Sequence, residues 1–269
     1  MKMIIMKQFW KRIYRVFADY GFDPKKLVNR LKSRKNKTFV ADMQEFLNQR
    51  GSDPAFQWGR LHPILVEKQE EGGTMKGHYF HQDLYVAQQI YKVNPLKHLD
   101  IGSRADGFVA HVAAFREIEL IDIRPIHSQV KNIVFRQADL MHLPEDMKDY
   151  CDSVSSLHAI EHFGLGRYND PIDYSGHLKG IENIAHILKS GGTFYFSVPI
   201  GTQRVEFNAH RVFSLKYLIG ILSPYYTIRS FSYVNDKGDL FENVALTEQS
   251  IQSNFSCWYG CGIFVLEKK

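Results

Sequence analysis

The sequence predicts an α/β protein: a doubly wound, mostly parallel seven-stranded sheet with a C-terminal antiparallel hairpin, preceded by an N-terminal helical extension. Three observations lead there. From Lys97 onward, short apolar runs alternate with helical segments, the pattern of strand–helix–strand units in a parallel sheet. A turn between Gly102 and Gly107 follows the first such run, where open α/β sheets bind ligands. Acids then stand at successive strand ends: Asp100, Asp122 and Asp139.

Taken in order, Met6, Phe9, Trp10, Ile13, Phe17 and Tyr20 recur at helical spacing, with Lys7, Lys11, Arg12 and Arg15 on the other side. This is an amphipathic helix with a cationic back. Thr38 to Gln49 reads as a second helix, stopped by Gly51 and the Asp53-Pro54 turn. Gln69 to Gly77 is a loop, and Asp83 to Val93 a helix ended by Asn94-Pro95. Strands follow at His98–Ile101, Ile118–Ile123, Ile133–Gln137, Ser153–Leu157 and Thr193–Val198. Leu178–Lys189 is a helix closed by Ser190-Gly191-Gly192, and Leu215–Leu222 is another. Two β-rich runs, Tyr225–Val234 and Gly260–Glu267, lack a crossover helix between them and so predict an antiparallel pair at the sheet edge. The expected division is residues 1–95, a basic helical extension or cap, and residues 96–269, a cofactor-binding domain.

At 269 residues, 44% hydrophobic and 23% charged, the chain has material for one to two folded units and is no disordered tail. It has no run of 18 apolar residues, and the opening MKMIIMKQFW is too short an apolar stretch for a secretory signal. Three cysteines are odd in number and too few for a disulfide scaffold, so a reducing, cytoplasmic setting is expected. The net charge of +5 hides an asymmetry: residues 1–40 carry twelve Lys/Arg against Asp19 and Asp23, leaving −5 for the remainder. Residues 1–37 could therefore lie on an anionic membrane surface, which would put the protein peripherally at the inner face. Nucleic-acid phosphate is a second charge-compatible surface, though not the expected partner. Packing of the apolar side on its own domain is the third reading.

The first strand ends in HLDIGSRADGF, which is not G-x-G-x-x-G because Arg104 stands at the second glycine. Asp122 follows Asp100 by 22 residues, near the spacing of a ribose-reading acid. Asp139, one strand further, could accept from an adenine amine. Taken together, LDIGSRADG, ELIDIRP, FRQADLMHLP, DSVSSLHAIEHF and LKSGGTFYFSVP resemble the Rossmann-like class I S-adenosylmethionine-dependent methyltransferases. Their wording resembles an uncharacterised methyltransferase-like family associated with bacterial surface-polysaccharide synthesis. The resemblance covers about residues 96–268 and implies S-adenosyl-L-methionine as cofactor. It places Asp100 and Gly102 near the methionine moiety, Asp122 on the ribose and Asp139 near the adenine. Ser103, Gly107, Ile123, Leu140 and Leu157 complete the expected cofactor wall. The nicotinamide dehydrogenases, which share this fold, are disfavoured by the broken glycine fingerprint.

After the fourth strand the chain reads Leu157-His158-Ala159-Ile160-Glu161-His162. On a helix, His158, Glu161 and His162 would share one face. Two imidazoles and a carboxylate can hold a divalent metal. This resembles the Glu-x-x-Glu-His element of metal-dependent O-methyltransferases, in which His210 would be the fourth ligand. Such a metal would act as Lewis acid on a bound hydroxyl; without one, His158 or His162 could be the general base. The letters H-x-x-E-H also spell a zinc-hydrolase signature, which a strand-end context contradicts.

On the acceptor side, Gly164–His177 with Arg167 and Tyr168 reads as a lid or binding loop. Arg204, His210 and Arg211 follow strand five and could hold an anionic group. His78, Tyr79, His81 and Asp83 read as cap-packing residues, and Cys257 and Cys261 as packed thiols. The expected function is methyl transfer to a sugar hydroxyl of a surface glycan or its precursor. The alternative is a non-catalytic scaffold that keeps the fold.

Overall fold

The computed structural model describes residues 36–52, 55–65, 68, 71–142 and 145–269. The helix expected over Met6–Tyr20, its basic surface-docking side and the Asp53-Pro54 turn lie outside the described residues. The chain divides into two compact units, Met1–Thr74 and Met75–Lys269. In the first, helix α1 (Lys37–Arg50) starts where the Asn36 side chain accepts from the Phe39 N–H and ends at Gly51. Asp42 pairs with Lys68, and Phe46 lies 6.4 Å from Trp58.

The second unit begins with α2 (His78–Val93), capped at its end by left-handed Asn94. It then runs β1 (His98–Ile101), a helical turn into α3 (Ala110–Ala113), β2 (Ile118–Asp122), β3 (Ile133–Gln137) and β4 (Cys151–Leu157). After α4 (Gly176–Ile187) come β5 (Leu188–Ile200), β6 (Arg204–Glu206), β7 (His210–Val212) and α5 (Leu215–Leu222). The chain continues through β8 (Tyr226–Val234), β9 (Leu240–Phe241), α6 (Glu248–Ser253) and β10 (Gly260–Lys268).

The main sheet is eight-stranded in the order β3-β2-β1-β4-β5-β10-β8-β9. The pairs from β3 to β5 are parallel; β10, β8 and β9 join antiparallel. Two expectations change. The sheet gains β9, two residues pairing with Tyr233 and Val234, too short a segment to leave a periodic signal. The two final runs pair antiparallel as expected, with β10 between β5 and β8 and the short β9 outside β8 at the edge. Helix α4 stops at Ile187, before the Ser190-Gly191-Gly192 turn, because β5 already pairs from Leu188 with Cys151.

Alternation along the strands feeds two cores. Phe194, Phe196 and Val198 join Ile184, Leu215 and Leu218 on one face. Tyr195 faces the other way, with Leu120, Ile263, Phe108 and Val112. Helix α2 buries Tyr85, Val86, Ala87 and Ile90 in that second core. Fully burying each larger apolar side chain is worth about 1.5–3 kcal/mol, so α2 belongs to the sheet unit. The division accordingly falls at 74/75 instead of 95/96.

Candidate functional site

At the carboxyl ends of β1, β2, β3 and β4 lies one cavity of about 630 Å³. Its wall includes Gly102, Asp122, Ile123, Asp139 and Leu140 from the first three strand ends, and His158, Glu161 and His162 after β4. Arg167, Tyr168 and His210 also line it. The structure thus brings most of the expected site residues to one space.

Gly102 is in the left-handed region at φ +69, and its N–H donates to Ile121 O at 2.8 Å. A Cβ there would stand 3.0 Å from the Ala159 Cβ, so glycine is what lets β1 turn close to the β4 turn. Asp100, Ser103, Gly107 and Leu157 do not line the cavity. Asp100 is fully buried behind it, accepting from the Ser103 N–H at 3.0 Å and from the Ser103 and Ser155 hydroxyls at 2.7 and 2.5 Å. Burial pushes its pKa up to about 7 against the pull of those donors. Ser103 Oγ in turn accepts from the Leu157 N–H at 3.0 Å. This pair laces β1 to β4 and shapes the loop from behind.

Asp122 reaches the cavity but is already paired. Arg124 donates to it from its backbone N–H at 2.8 Å and from Nε and Nη2 at 3.0 and 2.6 Å. The same guanidinium lies 4.2 Å over the Tyr168 ring. Asp139 accepts from the Met141 N–H at 2.9 Å and contacts His142 Nδ1 at 2.9 Å.

The β4 turn differs from the expected helix. His158 is left-handed at φ +51, and a single 3₁₀ turn follows over Ile160–His162. The side chains still meet: His158 Nδ1 lies 2.7 Å and His162 Nε2 3.7 Å from Glu161 Oε1. Burial works against charge on both His158 and Glu161, and each opposes it in the other. Glu161 is held below the usual carboxylate range, while Cys261 and Glu161 hold His158 well above 6.5. His162 Nδ1 lies 2.7 Å from Ala209 O, and burial lowers its pKa despite Glu161. Its ring meets Tyr168 edge-on at 5.3 Å. His210 Nε2 lies 3.3 Å from Glu206. The quartet His158, Glu161, His162 and His210 does not converge as a metal site. Among the described residues, the ligand atoms within 4.8 Å of one another belong to His78, His158 and Cys261.

Two expected acceptor residues lie outside the lining. Arg204 pairs with Glu206 at 2.8 Å and lies 4.2 Å over the Trp258 ring. Arg211 is buried, donating to Phe163 O at 2.6 Å and Tyr174 O at 3.2 Å, with longer contacts to Glu161 O and Asp173 O. It staples the β4 turn to the 164–174 loop. Cavity residues that the sequence reading missed include Arg104, Arg124, Asp170 and Tyr259. Arg124 had a signal, since a cation two residues after a strand-end acid can fold back on it.

A family model described as "Caenorhabditis protein of unknown function, DUF268" matches residues 115–268. The chain belongs to this family. For DUF268 the match spans β2 to β10 and so contains the Asp122, Asp139 and His158–His162 portions of the cavity. No curated protein matches. Among solved structures, the chain is similar to the N-methyltransferase NodS of Bradyrhizobium japonicum WM9 in complex with S-adenosyl-L-homocysteine. That match has 14% identity, covers 71% of this chain and 88% of that one, and has a TM-score of 0.47. It is also similar to the 1,6-didemethyltoxoflavin-N1-methyltransferase of Burkholderia thailandensis, at 12% identity, 70% and 78% coverage, and TM-score 0.49. A third is a putative sarcosine dimethylglycine methyltransferase of Galdieria sulphuraria, at 13% identity, 70% and 85% coverage, and TM-score 0.48.

Proposed function

We propose that the protein is an S-adenosylmethionine-dependent methyltransferase acting on a hydroxyl, with a sugar of a surface glycan or its precursor as the acceptor class. One observation carries the reading. Gly102, Asp122, Asp139 and the His158–His162 turn, from four successive strand ends, share the wall of one cavity. Its volume of about 630 Å³ lies within the usual range for small-molecule sites. The glycan assignment is supported by the sequence resemblance alone.

The donor brings its own activated methyl group on a sulfonium, which leaves the protein to align, dehydrate and deprotonate the acceptor. Asp122 would accept from the ribose hydroxyls and Asp139 from the adenine amine, while Gly102 permits close backbone approach. For ribose binding, Arg124 must yield at least one Asp122 oxygen. His162 is the base this geometry favours. With its Nδ1–H donated to Ala209 O, the lone pair sits on Nε2, and its lowered pKa keeps it unprotonated near neutral pH. Glu161 Oε1, 3.7 Å from that atom, stabilises the imidazolium that proton transfer creates.

Calorimetry with S-adenosylmethionine and S-adenosylhomocysteine tests the donor assignment, and binding of neither removes it. Labelled-methyl transfer to glycans, nucleotide sugars and RNA tests turnover. Donor binding with no transfer to any of them would favour the scaffold alternative.

A further inference from the structure

We infer that His78, His158 and Cys261 form a metal site of their own, with zinc(II) as the ion their donor set selects. One ligand atom from each lies within 4.8 Å of those of the other two. They come from three distant stretches: the first residue of α2, the residue after β4, and the second residue of β10. Cys261 is fully buried and His158 is 8% exposed.

The atom that points to an ion is His158 Nε2, buried and without a hydrogen-bond partner. Interior polar atoms rarely go unpaired. The other nitrogen of the same ring is held by Glu161 Oε1 at 2.7 Å, so Nδ1–H is donated to the carboxylate and Nε2 is the nitrogen left to take an ion, which would displace the proton it carries. A carboxylate–imidazole pair of this kind orients metal-binding histidines generally. His78 is held beside it, its ring stacked on His158 at 5.3 Å and on Tyr259 at 5.4 Å. The Cys261 thiol makes long contacts to Gln82 Oε1 at 3.5 Å and Gly262 O at 3.9 Å, and it interacts with His158 itself. Ion binding would release its proton to solvent and form the metal–thiolate bond. Full burial leaves that sulfur no room to attack a substrate.

One thiolate and two imidazoles suit a borderline-soft ion and not magnesium or calcium. Three protein ligands leave a fourth position for water or an acceptor oxygen, the pattern of catalytic zinc. His158 belongs to the wall of the large cavity. His78, with Asp236 and Tyr259, also lines a separate recess of about 340 Å³, which gives an ion a second way in. The set shares only His158 with the quartet expected from the sequence. Its ligands were illegible there, because residues 78 and 261 meet only through the fold.

The test uses the full chain, stripped with chelator and then loaded with zinc(II) or cobalt(II) without donor or acceptor. One ion per chain is expected, and the cobalt form should show thiolate-to-cobalt charge-transfer absorption in the near ultraviolet. Cys261→Ser should abolish that band, and both it and His78→Gln should weaken zinc binding by about tenfold or more. His162→Gln and His210→Gln should leave band and affinity unchanged. No uptake, uptake without the thiolate band, or loss on changing His162 or His210 instead would overturn the assignment. If Cys261→Ser fails to fold, the wild-type band and the His78→Gln titration decide. Metal uptake is read without S-adenosylmethionine, so failure here and failure of the donor reading are separate results.

Discussion

Asp122 and Arg124 offer a perturbation with opposite signs in two variants. In the unliganded protein the Asp122 carboxylate receives three donors from Arg124. A ribose must displace the side-chain donors to gain its own charge-assisted bonds, each worth about 1.5–3 kcal/mol. The Arg124 side chain is 48% exposed, so the ion pair it gives up is worth only about 0.2–1 kcal/mol after solvent screening. Asp122→Ala should therefore weaken S-adenosylhomocysteine binding about ten- to hundredfold. Arg124→Ala should tighten it by up to about fivefold, an effect that fades as salt rises. Calorimetry at low and high ionic strength reads both. If Arg124→Ala weakens binding as Asp122→Ala does, the arginine is itself a ligand contact and the displacement argument fails. An Asp122→Ala variant that binds as well as wild type would remove the ribose assignment.

Other consequences concern stability. Gly164→Ala would put a Cβ 1.9 Å from the Asp173 carbonyl oxygen at a backbone φ of +75, so a loss of about 1–3 kcal/mol or more is expected in urea denaturation. An unchanged midpoint would show that the loop relaxes freely. Arg211→Met strips donors from the carbonyls of Phe163 and Tyr174 and should cost about 2–3 kcal/mol, whereas half-buried Arg204, which pairs with Glu206 and donates to Thr202 O and Trp258 O, should cost about 1 kcal/mol or less on the same change. Equal effects would contradict the staple. His98 is buried against the Ser153 and Ser155 hydroxyls, and burial holds its pKa down to about 3. A lowered imidazole contributes stability that is present above the unfolded value of 6.5 and is lost as pH falls toward 3. The loss is about 1.4 kcal/mol per pH unit. His98→Gln should lack that acid limb, and stability curves that stay parallel between pH 6.5 and 4 would refute it.

The parallel half of the sheet was legible because a strand buried on nearly all of both faces, such as Ile118–Asp122, is written as an apolar run, the edge strand Ile133–Gln137 opens with a shorter one, and the acids sit at or just beyond the strand ends. The antiparallel half was less so, since nothing local in Gly260–Lys268 says which strands will flank it. In the site, the types and positions of His158, Glu161 and His162 were visible and their convergence held. The route was not: a left-handed His158 and one 3₁₀ turn replace the α-helix that the spacing suggested. Arg204 and Arg211 read alike as cations in sequence. Only packing turned Arg211 inward onto carbonyls and left Arg204 against Trp258.

The insertion of β10 between β5 and β8 bears on how the chain must be assembled. During synthesis, β5 and β8 are both made before the strand that separates them, and each waits with an open row of amides and carbonyls. The sheet cannot close until residues near 268 have left the ribosome, and early pairing of β5 with β8 would trap the chain out of register. A premature stop before Gly260 would thus remove an interior partner and leave two adhesive margins, making aggregation its expected fate.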